Sequence, residues 1–379
     1  MKKKLFSIYF LGLMLSSLNA QTSDLDWTRA PNSYVFDTDY ARTNNKGGID
    51  IPVKKAYRIW SDSNWYLNQA IPTGTPSPSI HWQDVPGLIK SVTIIPGATP
   101  EDAVIRVMVD RSKGEGNAVI ALKVDGNIYW SWHVWVTDDP SKTPTSYDKG
   151  IEKDFVGNDA TIQYLDRNLG ATNASFLGND WHKSGGLMYQ WGRKDPFPGF
   201  IYKDGTWYEV SGDVGNIRGD DGHNTGANGY PYAQVLAQKL RAYDNIGDNI
   251  KDAVKSPMTF INDPQKPWFS STVQPQSGYR WNLWSDNRNG QDGGGPFDSS
   301  GNTQKIKLKS PYDPCPNGWR VPSYIGNYTG NEPNTSSPWG RHGGSNDDGT
   351  PNKTISNTCL LYTSPSPRDQ RGSRMPSSA

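Results

Sequence analysis

The sequence predicts a mainly β protein in which a β-rich N-terminal region is followed by an α+β region. Aromatic residues make up 12% of the 379 residues, including fifteen Trp and nineteen Tyr, and a chain so rich in aromatic side chains can form hydrophobic cores. Short apolar runs separated by turn residues fill the N-terminal third. Helical spacing occurs in two short stretches of the C-terminal half. These three observations assign most of the regular structure to strands.

The clearest predicted element is a hairpin around Asp125-Gly126-Asn127. The apolar runs 118–124 and 128–136 flank it, and Asp-Gly supplies the positive φ angles that a tight turn needs. A strand with large side chains on both faces belongs inside a packed structure, so these runs predict an immunoglobulin-like β-sandwich over residues 21–138. The faces of the second run carry Trp130, Trp132, Val134 and Val136 on one side, and Tyr129, Ser131, His133 and Trp135 on the other.

The remaining organisation follows from composition. Lys2, Lys3 and Lys4 precede an apolar run and a small-residue site that ends at Ala20, which predicts a secretory signal peptide over residues 1–20. The apolar run is too short to span a membrane in the mature chain, and no cysteine follows it to carry a lipid. The polar, proline-bearing stretch 139–150 is predicted to be a linker. Residues 151–358 form the α+β domain, with helical spacing over 232–243 and, more weakly, over 246–257.

The last residues, 359–379, have neither helical nor strand periodicity and are predicted to be disordered. Residues Cys359 to Asp369 correspond in one reading frame to the translation of a widely used transposase sequencing adapter. We therefore interpret the tail as adapter read-through and expect the natural gene to be interrupted near Thr358, which would leave the second domain incomplete. Cys315 is then the only genuine cysteine, either a buried thiol or one that has lost a disulfide partner.

Charge and motifs argue against several function classes. Without the three lysines of the signal and the three arginines and one aspartate of the tail, the formal charge changes from +1 to about −4, and a mildly acidic chain without a basic stripe is not expected to bind nucleic acid. The five histidines lack HExxH spacing, no GxSxG occurs, and no glycine-rich phosphate loop follows a strand. Each histidine is predicted to be a satisfied or surface imidazole. The prediction is a non-catalytic protein with no cofactor or metal.

Three stretches of the second domain are distinctive: "YLDRNLGAT" (164–172), "GLMYQWGRKDPFPG" (186–199) and "YDPCPNGWRVPS" (312–323). In this order they resemble the Fibrobacter succinogenes major paralogous domain family, which occurs on exported bacterial proteins beside fimbrillin-like surface proteins. The preceding "GNAVIALKVDGNIYWSWHVWVTD" resembles the β domain that commonly comes before it. The resemblance implies a C-type-lectin-like α+β fold, surface exposure and no established catalytic activity. It also implies that the cysteine of the "DPCP" motif often has a later partner.

Turn formers, paired charges and aromatic anchors dominate these three motifs, so we expect the motifs to be structural. Asp166 and Arg167 can pair, and Asn168 and Gly170 tolerate left-handed φ angles. The motif residues predicted to be structural are Asp166, Arg167, Asn168, Gly170, Trp191, Gly192, Arg193, Asp195, Cys315, Trp319 and Arg320.

Ligand contacts are predicted from other residues. Exposed tryptophans can stack on sugar rings, and loops rich in Asp and Asn offer oxygen atoms to Ca²⁺, although no regular calcium-loop spacing occurs. An "RGD" at 218–220 is too short a match to carry a role. The possible ligand contacts are Trp281, Trp284, Asp286 and Asp292.

The predicted function is adhesion, fimbria-associated assembly or recognition by an exported cell-surface protein. Its partners would be an extracellular glycan or protein, or other surface subunits. A carbohydrate-binding lectin, with or without Ca²⁺, is the first alternative. An enzyme acting on an extracellular polymer is the second.

Overall fold

The computed structural model describes residues 27–39, 47–62, 67–153, 159–174, 181–190, 192–203, 205–209, 237–239, 246–261, 283–286, 308–321, 327–329, 332–334 and 360–362. In this part of the chain the protein is mainly β, with open sheets and three α-helices. The predicted signal peptide, residues 1–20, lies outside it. No helix within these ranges is both long enough and apolar enough to cross a membrane.

Seven strands form the N-terminal region. They are β1 (Ser33–Asp37), β2 (Gly48–Pro52), β3 (Pro76–Gln83), β4 (Ile89–Ile95), β5 (Val104–Val109), β6 (Gly116–Val124) and β7 (Asn127–Thr137). The first sheet has the order β1-β7-β6-β3, with β1 parallel to β7 and the other pairs antiparallel. The second sheet, β2-β5-β4, is antiparallel. Helix α1 (Lys54–Ser61) and short 3-10 helices at Trp27–Arg29, Pro100–Asp102 and Arg111–Lys113 complete the region.

The hairpin between β6 and β7 forms where the sequence predicts it. Asp125 and Gly126 have φ angles of 48° and 84°, which are the left-handed values that a two-residue turn requires. The Asp125 carboxylate accepts a hydrogen bond of 3.0 Å from the backbone N–H of Thr75. The turn is therefore stabilised by both its backbone geometry and its side chain.

The inner face of the first sheet packs on the second sheet. Ile105 and Val107 of β5 and Ile120 and Leu122 of β6 are fully buried in one hydrophobic cluster, to which α1 adds Trp60. The outer face of the first sheet is buried as well, because C-terminal segments cover it. Both faces of β7 carry bulky side chains and both are buried, as the sequence pattern indicates.

The C-terminal region consists of short strands and two helices, with no sheet of more than three strands among the described residues. The elements are β8 (Thr145–Lys153), β9 (Asp159–Tyr164), α2 (Trp181–Ser184), β10 (Met188–Gln190), β11 (Pro196–Phe197), β12 (Phe200–Lys203), β13 (Thr206–Glu209), β14 (Ala237–Lys239), α3 (Ile246–Lys255), β15 (Thr259–Ile261), β16 (Ser285–Asp286), β17 (Leu308–Lys309), β18 (Asn327–Thr329), β19 (Glu332–Asn334) and β20 (Leu360–Tyr362). The small sheets are β11-β10-β20, β8-β9, β12-β13, β14-β15, β16-β17 and β18-β19, and among them only β14 and β15 are parallel.

Three expectations about the chain path differ from the structure. Half of the predicted linker belongs to β8, and its other half is bonded to its surroundings, since the Asp166 N–H donates to the Pro140 carbonyl at 3.2 Å. Helical spacing over 232–243 does not produce a helix at 237–239, because these residues pair with β15 as β14. Disorder of the tail does not extend to 360–362, whose backbone pairs with β10. In the last two cases, strand pairing outweighs local sequence preference.

Candidate functional site

Side chains that carry polar groups line the outer face of the first sheet. They belong to Ser33 on β1, Asn117 on β6, and Ser131, His133 and Trp135 on β7. The strand register places these residues side by side, with Ser33 opposite His133 and Asn117 opposite Trp135. All five are buried. Because buried polar groups need hydrogen-bond partners, whatever covers this face must supply them.

The first motif supplies two backbone carbonyls. The Asn117 amide donates to the Gly170 carbonyl at 3.0 Å, and the Trp135 indole N–H donates to the Ala171 carbonyl at 3.0 Å. Gly170 has φ +83°, and a Cβ there would come within 2.4 Å of the Leu187 side chain. Only glycine fits both the backbone angle and the close approach.

Arg167 joins the first motif to the end of β7. Its guanidinium forms a bidentate pair with Asp138 at 2.6 and 3.0 Å and a second pair with Asp166 at 2.6 and 2.9 Å. The hydrogen bond from Arg167 lowers the pKa of the Asp138 carboxyl. Asp166 also accepts from the Thr143 hydroxyl at 2.9 Å. The predicted Asp166–Arg167 pair is therefore the buried centre of a larger network that reaches the surface at Asp138 and Thr143.

The second motif places a buried ion pair against β7. The Lys194 ammonium donates to Asp195 at 2.6 Å and to the Ser131 hydroxyl at 2.7 Å, while that hydroxyl donates to Asp195 at 2.5 Å. The ammonium also lies 4.4 Å from the Trp130 ring centroid. Burial lowers the pKa of Lys194 to about 8.

Arg193 of the same motif caps the end of α3. Its guanidinium donates to the carbonyls of Ala253 at 2.8 Å and Ser256 at 3.0 Å, and also to that of Thr259. A cation at this position satisfies carbonyls that the helix leaves unpaired and interacts favourably with the helix dipole. Burial lowers the pKa of Arg193 to about 10.

The third motif is a loop organised by one buried carboxylate. Asp313 accepts 2.8 Å hydrogen bonds from the Lys309 ammonium and from the backbone N–H groups of Cys315 and Val321. Lys309 also donates to the Cys315 and Trp319 carbonyls, each at 2.8 Å. Cys315 is a buried free thiol, and burial raises its pKa. The loop is thus closed on itself by charge-assisted hydrogen bonds.

The carbonyls of this loop face the start of β1. The Asn32 side-chain amide donates to the carbonyls of Pro311 and Asp313, both at 2.7 Å. The Ser33 hydroxyl donates to the Pro314 carbonyl at 2.6 Å. All three motifs therefore bind the N-terminal sheet or the residues at its margin.

His133 lies at the centre of the outer face. Its Nδ1 is 2.9 Å from the Ser33 hydroxyl, and its Nε2 is 2.9 Å from the Asn117 side-chain oxygen. Asn117 in turn donates to the Asp84 carboxylate from its side chain at 2.7 Å and from its backbone at 2.6 Å. Burial raises the pKa of Asp84 to about 7 and lowers that of His133 to about 3. The expectation of a satisfied imidazole holds for His133 but not for His81, whose half-buried ring has an Nε2 atom without a hydrogen-bond partner.

The predicted ligand contacts have a different outcome. Trp284 is predicted to be exposed, but only 2% of it is, and its indole N–H donates to the Arg193 carbonyl at 2.8 Å. This expectation is wrong, because the ring fills the core beside the second motif. Asp286 is described through its backbone in β16. Trp281, Asp292 and the "RGD" at 218–220 lie outside the described residues.

Most of the predicted structural residues meet in this network. Gly192 has φ +86°, which its turn requires. Arg320 is half-buried and donates to the Val321 carbonyl at 3.2 Å, and Trp319 packs half-buried against the main core. Trp191 lies outside the described residues.

Sequence reasoning did not single out the N-terminal partners of the motifs. The one available signal was the alternation of Ser131 and His133 with large apolar residues in β7, which indicates polar positions in a buried strand. The other partners lie far from the motifs along the chain and carry no local signature. The partners are Asn32, Ser33, Asn117 and Ser131.

The network as described holds no evident metal position, since the described ranges contain no group of three or more His, Cys, Asp or Glu side chains suited to a metal ion. Comparison of the chain with protein-family models, with curated proteins and with solved structures gives no match.

Proposed function

We propose that the chain is an exported, non-catalytic cell-surface protein that serves adhesion, fimbria-associated assembly or recognition. In this proposal an immunoglobulin-like sandwich carries a C-type-lectin-like domain of the Fibrobacter succinogenes major paralogous type, and the partner is an extracellular glycan or protein or another surface subunit. One observation carries the proposal: the polar groups of the three motifs are engaged in fastening the C-terminal region to the first sheet.

The strand order supports the immunoglobulin-like part of the proposal. Lettered in chain order from A to G, the seven strands form the sheets A-G-F-C and B-E-D. The constant-type immunoglobulin arrangement is ABED and CFG. The two differ only in the first strand, which here pairs in parallel with the last strand instead of joining strand B.

The non-catalytic part rests on burial. Ser131, Lys194 and Asp195 have the residue types and the perturbed lysine pKa of a catalytic cluster, but at most 3% of each residue is exposed. A catalytic group must reach its substrate. Because these three side chains are buried and bonded to one another, we infer that they have a structural role.

A binding and turnover assay on the full chain tests the proposal. We expect saturable binding to an extracellular glycan or matrix protein, or to purified surface subunits, and no release of sugar or peptide from extracellular polymers. Ser131→Ala should lower the stability of the protein, and neither this variant nor the wild type should show any turnover. Turnover by the wild type that disappears in a folded Ser131→Ala protein would instead assign an enzyme.

The same assay distinguishes a lectin. With Trp284 in the core, Trp281 is the remaining tryptophan of the predicted sugar contacts. Glycan binding that is lost in Trp281→Ala but kept in Trp27→Ala, a half-buried tryptophan of the N-terminal region, would favour the carbohydrate-binding alternative over protein-mediated adhesion.

A further inference from the structure

The two sheets of the N-terminal region end in the edge strands β1, β3, β2 and β4, and the first three carry features that hinder further pairing. The start of β1 is bonded to the third motif, since the Ser33 hydroxyl donates to the Pro314 carbonyl at 2.6 Å. Strand β3 contains Pro76 and Pro78, and β2 contains Pro52. A proline has no N–H to offer a further strand.

Strand β4 lacks these features. Its residues 89–95 include no proline, and their only charged side chain is Lys90 near the start. The register shift between Ile89 and Ser91 also lies at the start, so that 91–95 pairs regularly with β5. Within the ranges that the structure describes, no strand pairs with the other side of β4. An edge that is regular, nearly uncharged and free of proline is open to strand addition.

The direction of the β4 backbone groups follows from the bonding of β5. The Val109 N–H donates to the Gly47 carbonyl at 2.8 Å on the β2 side. Because the bonding direction alternates along an antiparallel strand, every second residue of β5 counted from Val109 faces β2, and the residues between them face β4. One of the latter is paired with Thr93. The N–H and C=O groups of Val92 and Ile94 therefore point to the open edge.

The side chains of β4 alternate in the way that a further strand would extend. Val92 and Ile94 lie opposite fully buried residues of β5 and pack against the main core, but they are themselves only half-buried. Ser91 and Thr93, on the other face, are exposed. A strand that covers this edge should place β-branched apolar side chains inside and small polar side chains outside, which is the pattern of β4 itself.

A second copy of β4 fits this edge in the antiparallel direction. With the two-fold axis at Thr93, the middle of 91–95, each Thr93 lies opposite its own counterpart, and Val92 lies opposite Ile94 of the second copy. Val92 and Ile94 then exchange backbone hydrogen bonds, and their side chains meet on the inner face. Threonine pairs and pairs of β-branched residues are favourable across strands. Lys90 lies outside the paired run, so no like charges oppose each other.

We propose that two copies of the chain associate through β4, paired antiparallel about Thr93, so that their second sheets become one continuous sheet. The same surface is used on both copies, which closes the assembly at a dimer. Only one short strand from each copy is covered, so we expect a reversible dimer with a dissociation constant of about 10 µM. This pairing needs no ligand and is independent of the adhesive role proposed above.

Cysteine cross-linking of the full chain tests the register. The axis brings the two Thr93 side chains together, so Thr93→Cys should form a disulfide-linked dimer under mild oxidation. Ser91→Cys is the matched control, because this residue is equally exposed but lies opposite Ile95 and far from its own counterpart. Equal cross-linking of the two variants, or none above that of the wild type in either, would overturn the proposal.

Sedimentation velocity tests the dimer itself. The wild type should pass from monomer to dimer between about 1 µM and about 100 µM. Thr93→Glu should weaken the dimer about fivefold, since two carboxylates then face each other across the axis. Within each copy the new carboxylate lies opposite Arg106, which the fold should tolerate. Ser61→Glu, at the exposed end of α1, should dimerise like the wild type. A wild type that stays monomeric, or a dimer that Thr93→Glu leaves as strong, would contradict the pairing.

Hydrogen–deuterium exchange resolved to single amides distinguishes a second copy from a segment of the same chain. Over the same increase in concentration, the Val92 and Ile94 amides should exchange about fourfold more slowly, because exchange requires the monomer. The Thr93 amide, which faces β5, should keep one rate. Protection of Val92 and Ile94 at every concentration in a monomeric chain would show that the chain covers its own edge, and the proposal would be wrong. Rapid exchange of both amides at every concentration would equally rule it out.

Discussion

At the scale of single residues, buried cations join parts of the chain that are distant in sequence. Arg167 binds Asp138 at the end of β7, Lys194 binds Ser131 in the middle of the same strand, and Arg193 holds the end of α3. Each cation is surrounded by oxygen atoms, which offset the cost of removing its charge from water. Removing one cation takes the charged donor away from those oxygen atoms, several of which keep only a neutral hydroxyl donor.

Arg167 therefore contributes more to stability than an exposed arginine with the same geometry. We expect Arg167→Met to lower the free energy of unfolding by about 3 kcal/mol, because Asp166 is left buried and unpaired. The control is Arg106→Met, which removes a bidentate pair with Asp50 that is largely exposed, and its unfolding midpoint should stay close to that of the wild type. Equal effects of the two substitutions in urea unfolding would contradict this reading.

Trp284 tests the difference between a core residue and a ligand contact. We expect Trp284→Ala to destabilise the protein by about 3 kcal/mol, since it leaves a cavity and removes the donor to the Arg193 carbonyl. Thermal unfolding measures this effect. If Trp284→Ala left the stability unchanged but abolished glycan binding, Trp284 would be a ligand contact and not a core residue.

Asp84 gives the protein a specific pH dependence. Its pKa in the folded state, about 7, is above the unfolded value of 3.8, so the stability that its proton provides is complete below about pH 4 and is lost as the pH rises through about 7. Relative to Asp84→Asn, the wild type should therefore gain stability as the pH falls from about 7 to about 4. Denaturant unfolding of both proteins across this range measures the difference, and a constant difference would refute the assignment.

At the scale of elements, local chemistry predicts the hairpin and its strands well. The Asp-Gly turn and the alternation of β7 are properties of adjacent residues, so they are visible in the sequence. The helical spacing at 246–257 likewise yields α3 at Ile246–Lys255. The failure at 237–239 has the opposite cause, because β14 exists through pairing with β15, about twenty residues further along the chain.

The turn at Gly126 allows a test of that local chemistry. We expect Gly126→Ala to lower the free energy of unfolding by about 1 kcal/mol, since its φ of 84° is unfavourable for a residue with a Cβ. Asp125→Asn is the matched control, because asparagine tolerates a positive φ and keeps the side-chain oxygen that Thr75 uses. If the two variants unfold at the same denaturant concentration, the turn is not strained in this way.

One edge of the first sheet is protected against further pairing. Strand β3 is at this edge and contains Pro76 and Pro78, which have no N–H to offer another strand. Prolines in a sheet are confined to edge positions where the missing donor faces outward. Strand addition to this part of β3 is therefore disfavoured, and partners are expected to bind elsewhere.

At the scale of the whole molecule, the contacts that unite the two regions are the least predictable feature. The structural role of the motif residues follows from their types, since glycines, paired charges and aromatic residues define turns. Their partners do not follow, because Asn32 and Ser33 bind carbonyls 281 residues further along the chain. The sequence suggests two domains and a linker. In the described residues, however, polar contacts of all three motifs with the first sheet connect the two regions, and we call these contacts the seam.

Hydrogen–deuterium exchange in full-length Lys309→Met tests most directly whether the seam holds the two regions together. Loss of the ammonium removes the partner of Asp313 and opens the loop 309–321. If the loop fastens the two regions, exchange should rise about tenfold in β1 and β7 as well as in the loop, a loss of about 1.4 kcal/mol of protection. Lys251→Met, which removes a partly exposed pair on α3, should change neither. Faster exchange confined to residues 309–321, with β1 and β7 as protected as in the wild type, would contradict the docking role of the motif.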